Sequence, residues 1–150
     1  MDNEAYFLEA SEEAKKALCE KAKCGAVVVL GDRVVGRGYN APPKDNKESC
    51  KCSLQYSEKS LKPKSDRTCC VHAEWRAIVQ ALKQEGDIDG ADFARVDNDG
   101  EMLFSGKPYC TVCSRLALDV GIRKFFLWHE EGMRGYDTKE YNDVSYKFHE

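Results

Sequence analysis

Residues 24–40 read CGAVVVLGDRVVGRGYN, and this pattern is that of a β-hairpin. Gly25 to Leu30 is a continuous, valine-rich apolar run, Gly31-Asp32 supplies a two-residue turn, and Arg33 to Tyr39 returns as a second strand. A strand apolar at every position is buried on both faces, which places the first strand inside a sheet. Upstream, Phe7, Ala10, Ala14, Ala17, Leu18 and Ala22 step by three and four, so residues 4–23 read as an amphipathic helix. Downstream, residues 41–68 contain Pro42-Pro43, Pro63 and many serines and lysines, and read as a long loop or insertion.

The second half alternates helices and strands. Val71 to Gln84 reads as a helix with Ile78, Val79 and Leu82 on one side and Gly86 as its stop. Asp92 to Asp97 reads as a strand, Asn98-Asp99-Gly100 as a turn, and Met102 to Phe104 as a short returning strand or part of the following loop. Thr111 to Val120 is a helix closed by Gly121, and Ile122 to Trp128 a further strand. Residues 138–148 fit two patterns. A helix capped by Asp137 or Thr138 would turn Tyr141, Val144 and Phe148 inward, whereas a strand would alternate Val144, Tyr146 and Phe148; the helix is preferred. The expected fold is an α/β, three-layer α-β-α sandwich whose mixed central sheet opens with an antiparallel hairpin, built as a single domain over 1–150.

Composition narrows the function classes. The chain has 150 residues, 42% of them hydrophobic, with 23 basic and 26 acidic side chains, for a net charge of −3. A domain of this length buries enough surface to fold without covalent staples. The apolar run Ala26 to Leu30 is far too short to span a bilayer and the first residues, Met1-Asp2-Asn3-Glu4, carry no signal segment, so a soluble, cytoplasmic protein with no membrane partner is expected. In a reducing compartment the eight cysteines point to metal or thiol chemistry rather than disulfides. Residues 44–67 hold seven basic against four acidic side chains, the one feature that favours nucleic acid over a small-molecule substrate.

The reactive residues gather at two helix starts. His72 and Glu74 open one helix, and Cys110 and Cys113, three apart, share a face at the start of another. Helix N-termini favour thiolates, and one histidine with two thiolates is a zinc set that leaves a fourth position open, the mark of a catalytic site. Because two thiolates cancel the metal's charge, a nearby carboxylate is needed to take a proton, and Glu74 is placed to supply it. Alone, Cys-x-x-Cys also fits a redox dithiol or half of a structural zinc site.

Together, His72-Ala73-Glu74 and Cys110-Thr111-Val112-Cys113 resemble the signature of the cytidine and deoxycytidylate deaminase superfamily. Cys24 to Val29 looks like that family's first strand, Gly38-Tyr39-Asn40 like the strand end whose Asn faces the substrate sugar, and HAEWRAI at 72–78 like its zinc helix. The resemblance implies one catalytic zinc on His72, Cys110 and Cys113, with Glu74 shuttling a proton while zinc-activated water attacks the amino-bearing ring carbon and ammonia leaves. It implies substrate contacts at Asn40 and Ala73 and a homo-oligomer; Arg76, one turn after His72 on the same helix face, is a further candidate for substrate contact, as a phosphate ligand. The substrate so implied is a free pyrimidine nucleotide or nucleoside, deoxycytidylate or cytidine first. A purine base, a base in nucleic acid, or a non-catalytic zinc-stabilised binding domain are the alternatives.

Three features depart from the family pattern. Tyr109 intervenes between Pro108 and Cys110, Arg76 stands where the nucleotide-specific branch has Asn, and 38 positions separate His72 from Cys110. Cys50, Cys52, Cys69 and Cys70 form a further set that a second, structural zinc would tie together, while Cys19 and Cys24 read as packing residues.

Overall fold

A computed structural model describes residues 3–18, 22–51, 69–98, 102–103, 105 and 110–147. Helix α1 (Asn3–Ala14) is followed by the hairpin β1 (Cys24–Leu30) and β2 (Arg33–Tyr39), then by helix α2 (Ala73–Glu85). Strands β3 (Asp92–Asn98) and β4 (Met102–Leu103), helix α3 (Thr111–Asp119), strands β5 (Lys124–His129) and β6 (Gly132–Asp137), and helix α4 (Thr138–Ser145) complete the order. The strands form one mixed sheet in the order β2-β1-β3-β5-β6, with β4 paired to β3. Among the described residues only β3 and β5 run parallel, and β1 lies between β2 and β3 as its apolar run requires.

Side chains leave β3 alternately to two cores. Ala94 and Val96 join Phe7 and Ala10 of α1 with Val27 and Val29 on one face. Phe93 faces the other, with Ala77, Ile78 and Ala81 of α2, Ala117 of α3 and Tyr141 of α4. This is the three-layer sandwich: α1 on one side, α2, α3 and α4 on the other. Among the described residues no helix is long and apolar enough to cross a membrane.

Two glycines set the position of α2. A Cβ on Gly36 would lie 2.1 Å from the Ala77 carbonyl oxygen, and one on Gly38 would lie 2.2 Å from that of Ala73. Helix backbone therefore rests directly on β2, and α2 carries alanines where it meets the strand.

The structure corrects several boundaries and orientations. Helix α1 ends at Ala14 instead of Lys23, because the chain turns and Leu18 N donates to Asn40 O at 3.1 Å. Val79 is turned out to solvent, since the Ala73-Ala77-Ala81 stripe and Ile78 form the buried face. Strand β6 was not anticipated: it is an edge strand with only Tyr136 buried, so it shows no apolar alternation. Helix α4 forms as preferred, with Asp137 Oδ1 accepting from Lys139 N at 3.0 Å. Its inward residue is Tyr141, stacked on Phe125, whereas Val144 is exposed; Phe148 lies outside the described residues.

Candidate metal centre

The hairpin and two helix starts bring the sequence-predicted residues together. His72 is the N-cap of α2 with extended backbone (ψ 147°), and its ring makes no capping bond, which leaves Nδ1 aimed at the start of α3. Cys110 is the N-cap of α3, where its Sγ accepts from Cys113 N at 3.4 Å. One helical turn on, Cys113 presents its Sγ on the same side.

The donor atoms form a tight triangle. Nδ1 of His72 lies 3.1 Å from Cys113 Sγ and 3.5 Å from Cys110 Sγ, and the two sulfurs are 3.1 Å apart. Tetrahedral zinc with ordinary Zn–S and Zn–N bonds spaces such ligands by about 3.4–3.8 Å. An ion would therefore need the triangle to open by only about half an ångström, so the donor set fits zinc in type and spacing. With Glu74, all four donor atoms lie within 4.8 Å of one another.

Protonation follows from this crowding. The hydrogen bond with the Cys113 thiol pulls Cys110 down to about 5, with the His72 bond assisting against burial, and the Cys113 thiol is raised as the proton-bearing member of the pair. Its hydrogen bond to Cys110 also raises the His72 imidazole. A thiol lowered in this way at a helix N-terminus is suited to bind a cation as the thiolate.

Glu74 is 5% exposed. Burial pushes its carboxyl up, but the Arg95 guanidinium, followed by His72, holds it below the ordinary value. Its Oε2 accepts from Cys113 Sγ at 2.9 Å and lies 3.9 Å from His72 Nδ1, while Oε1 accepts from Arg95 Nε at 2.7 Å. Arg95 was missed in the sequence. Its signal was a charged residue at the position of β3 that shares a face with Phe93, where an apolar side chain belongs.

The other predicted positions are less simply placed. Asn40 is buried at the end of β2, its Oδ1 accepting from Cys24 N at 2.8 Å and its Nδ2 donating to Ala22 O at 2.7 Å. Ala73 is the first residue of α2 and is buried. Arg76 donates to Asp45 Oδ1 at 2.9 Å and to Pro42 O at 3.0 Å, with its guanidinium 5.0 Å over the Tyr39 ring. It helps line an open groove of about 430 Å³ on the outer side of α2, with Tyr39, Trp75, Val79 and Lys83; none of the metal-centre residues lines it. Cys50, Cys69 and Cys70 join no metal-ligand group among the described residues, and Cys52 and Cys19 lie outside them. Cys24 is buried as expected, at the start of β1.

Residues 1–129 match the model of the family described as the cytidine and deoxycytidylate deaminase zinc-binding region. The chain belongs to this family. Among curated deaminases it is 32% identical over 124 residues to the deoxycytidylate deaminase of Schizosaccharomyces pombe, covering 81% of this chain and 35% of that one. It is 30% identical over 129 residues to the deoxycytidylate deaminase of Mycobacterium phage D29, covering 82% and 91%. The chain therefore spans about a third of the yeast relative and nearly all of the phage one.

Solved deaminase structures share the fold. A dCMP deaminase from cyanophage S-TIM5, solved in complex with dCMP and dUMP, aligns with a TM-score of 0.59 at 24% identity over 82% of this chain and 77% of that one. The cytidine deaminase of Burkholderia pseudomallei also aligns at 0.59, with 19% identity over 94% and 96%. For the deaminase family, then, the match covers both the sequence and the sandwich that carries the donor triangle.

Proposed function

We propose that this chain is a single-domain, zinc-dependent hydrolytic deaminase of a free pyrimidine nucleotide, with deoxycytidylate as its preferred substrate. The observation that carries the reading is a buried carboxylate, Glu74, held against a histidine and two cysteines that already suffice as ligands. His72, Cys110 and Cys113 would hold the metal, and zinc, when bound, supplies an activated water for attack on the amino-bearing ring carbon. Glu74 Oε2 faces the ligand triangle. There it would take one proton from the water and give it to the ring nitrogen, which keeps it, and then take the second from the new hydroxyl and give it to the departing amine, so that dCMP and water give dUMP and ammonia.

Asn40, Ala73 and Arg76 are the positions assigned to substrate contact. The Asn40 amide uses one hydrogen-bonding position on each of its atoms for the backbone of residues 22–24, and each atom has a second one for the sugar. Arg76 as a phosphate ligand would exchange Asp45 for the nucleotide. We assign one zinc per chain; a measured ratio of two that falls to one on replacing Cys50, Cys52, Cys69 and Cys70 would add a second on that set. The relatives' names favour deoxycytidylate.

Zinc-loaded protein is expected to release ammonia from dCMP faster than from cytidine, guanine, adenosine or single-stranded oligonucleotides. Glu74→Gln should keep its zinc and lose at least about 100-fold in kcat. A Glu74→Gln variant as active as the parent would overturn the mechanism. A zinc protein inactive on every compound would leave the non-catalytic binding domain as the better reading.

A further inference from the structure

Outside the proposed ligand and proton-transfer set, Arg95, Cys24 and Ser105 are buried and, with the half-buried Asp97, form a polar cluster behind Glu74. Arg95 sits at the middle of β3, paired to Ala26 of β1 on one side and Leu127 of β5 on the other, and is 4% exposed. Its guanidinium is held at several points. Nη1 donates to Ser105 O at 2.8 Å, Nη2 to Cys24 Sγ at 3.2 Å, and Nη2 also lies 3.2 Å from Asp97 Oδ1. In turn, Ser105 Oγ donates to the Arg95 carbonyl at 2.6 Å. Arg95 Nε donates to Glu74 Oε1 at 2.7 Å.

We propose that Arg95 is a positioning residue for the Glu74 carboxylate: by holding Oε1 it turns Oε2 toward the ligand triangle as the one oxygen that handles the proton. A glutamate side chain has three torsions, and a proton shuttle works only within hydrogen-bond reach of its donor and acceptor. An arginine fixed in a planar fork on a central strand supplies that restraint, whereas a point charge of the same sign does not. The fork explains why a cation occupies a position of β3 that shares a face with Phe93.

The inference rests on the deaminase reading, and the test separates them. Arg95→Lys and Arg95→Ala should each bind as much zinc as the parent and hold dUMP with a Kd within about twofold of it, while kcat on dCMP falls about 10- to 100-fold with little change in KM. Guanidinium ion added to Arg95→Ala should recover part of the lost kcat, and methylammonium should not. In crystals of Arg95→Ala, Oε2 should leave its place beside Cys113 Sγ and His72 Nδ1. Should Arg95→Ala not fold, Arg95→Lys provides the zinc, kcat and crystallographic readouts. Parental kcat in Arg95→Lys, an unmoved Glu74, or loss of zinc from both variants would overturn the proposal. If the parent itself deaminates nothing, the functional reading fails, and the position of Glu74 in the variant crystals still decides the arginine's role.

Discussion

Gly38 touches the backbone of Ala73: a Cβ added to the glycine would stand 2.2 Å from the alanine's carbonyl oxygen and 2.6 Å from Ala77 N. The start of α2, and with it His72, is therefore seated by the absence of a side chain on β2. Gly38→Ala is expected to push the helix outward, costing about 1–3 kcal/mol of stability and weakening zinc binding together with it. Urea unfolding and a zinc titration check both effects.

Asn40 joins the end of β2 to the residues entering β1 through two hydrogen bonds made from a buried side chain. Asn40→Ala is expected to cost about 1–3 kcal/mol, because Cys24 N and Ala22 O lose their partner. If the same amide faces the sugar, KM for dCMP should rise more than kcat falls. Denaturation and steady-state kinetics on one preparation measure the two consequences separately.

Replacing either sulfur removes a proposed ligand and leaves two. Cys110→Ser and Cys113→Ser are each expected to purify without stoichiometric zinc and without activity. In the parent, zinc at 100 times its Kd should add about 2.7 kcal/mol to unfolding, and a chelator should abolish the increment. Thermal scans across a zinc series, with metal content measured in parallel, provide the check.

The Tyr39 hydroxyl bonds Asp45, and this bond, with Arg76 assisting against the opposing effect of burial, holds the Asp45 carboxyl below its usual 3.8. A depressed acid contributes stability above its unfolded value and loses it as pH falls through the lower folded value. The Asp45 side chain is 41% exposed, so screening limits the contribution to less than about 1 kcal/mol. Asp45→Asn should thus be slightly less stable than the parent at pH 7, with the difference shrinking below pH 3.8. Paired denaturation curves at the two pH values measure it.

Sequence periodicity was most informative where burial was complete. The apolar run of β1 identified a central strand, and Gly36 and Gly38 then took a role that periodicity does not express, close approach of a helix backbone. The metal group was legible because ligand chemistry restricts residue type: few side chains other than His and Cys bind zinc this way. Arg95 was not, since its partner Glu74 is 21 residues away and only the fold makes them neighbours. Strand β6 escaped because an edge strand with one buried residue carries no apolar alternation. Val79 was misplaced for a related reason: alanines, which weigh little in a hydrophobic pattern, form most of the face that α2 buries.

The donor triangle has a topological consequence. His72 and Cys110 belong to helices separated by β3 and β4, so an ion shared between them closes a covalently open loop of 38 residues. Because the ion is held only where the fold brings these residues together, it stabilises the folded chain through its own binding free energy, whereas a disulfide acts by restraining the unfolded chain. Unlike a disulfide, it survives reductants and yields to chelators. The centre that would carry the chemistry is, by the same bonds, a reversible fastener between two halves of the chain.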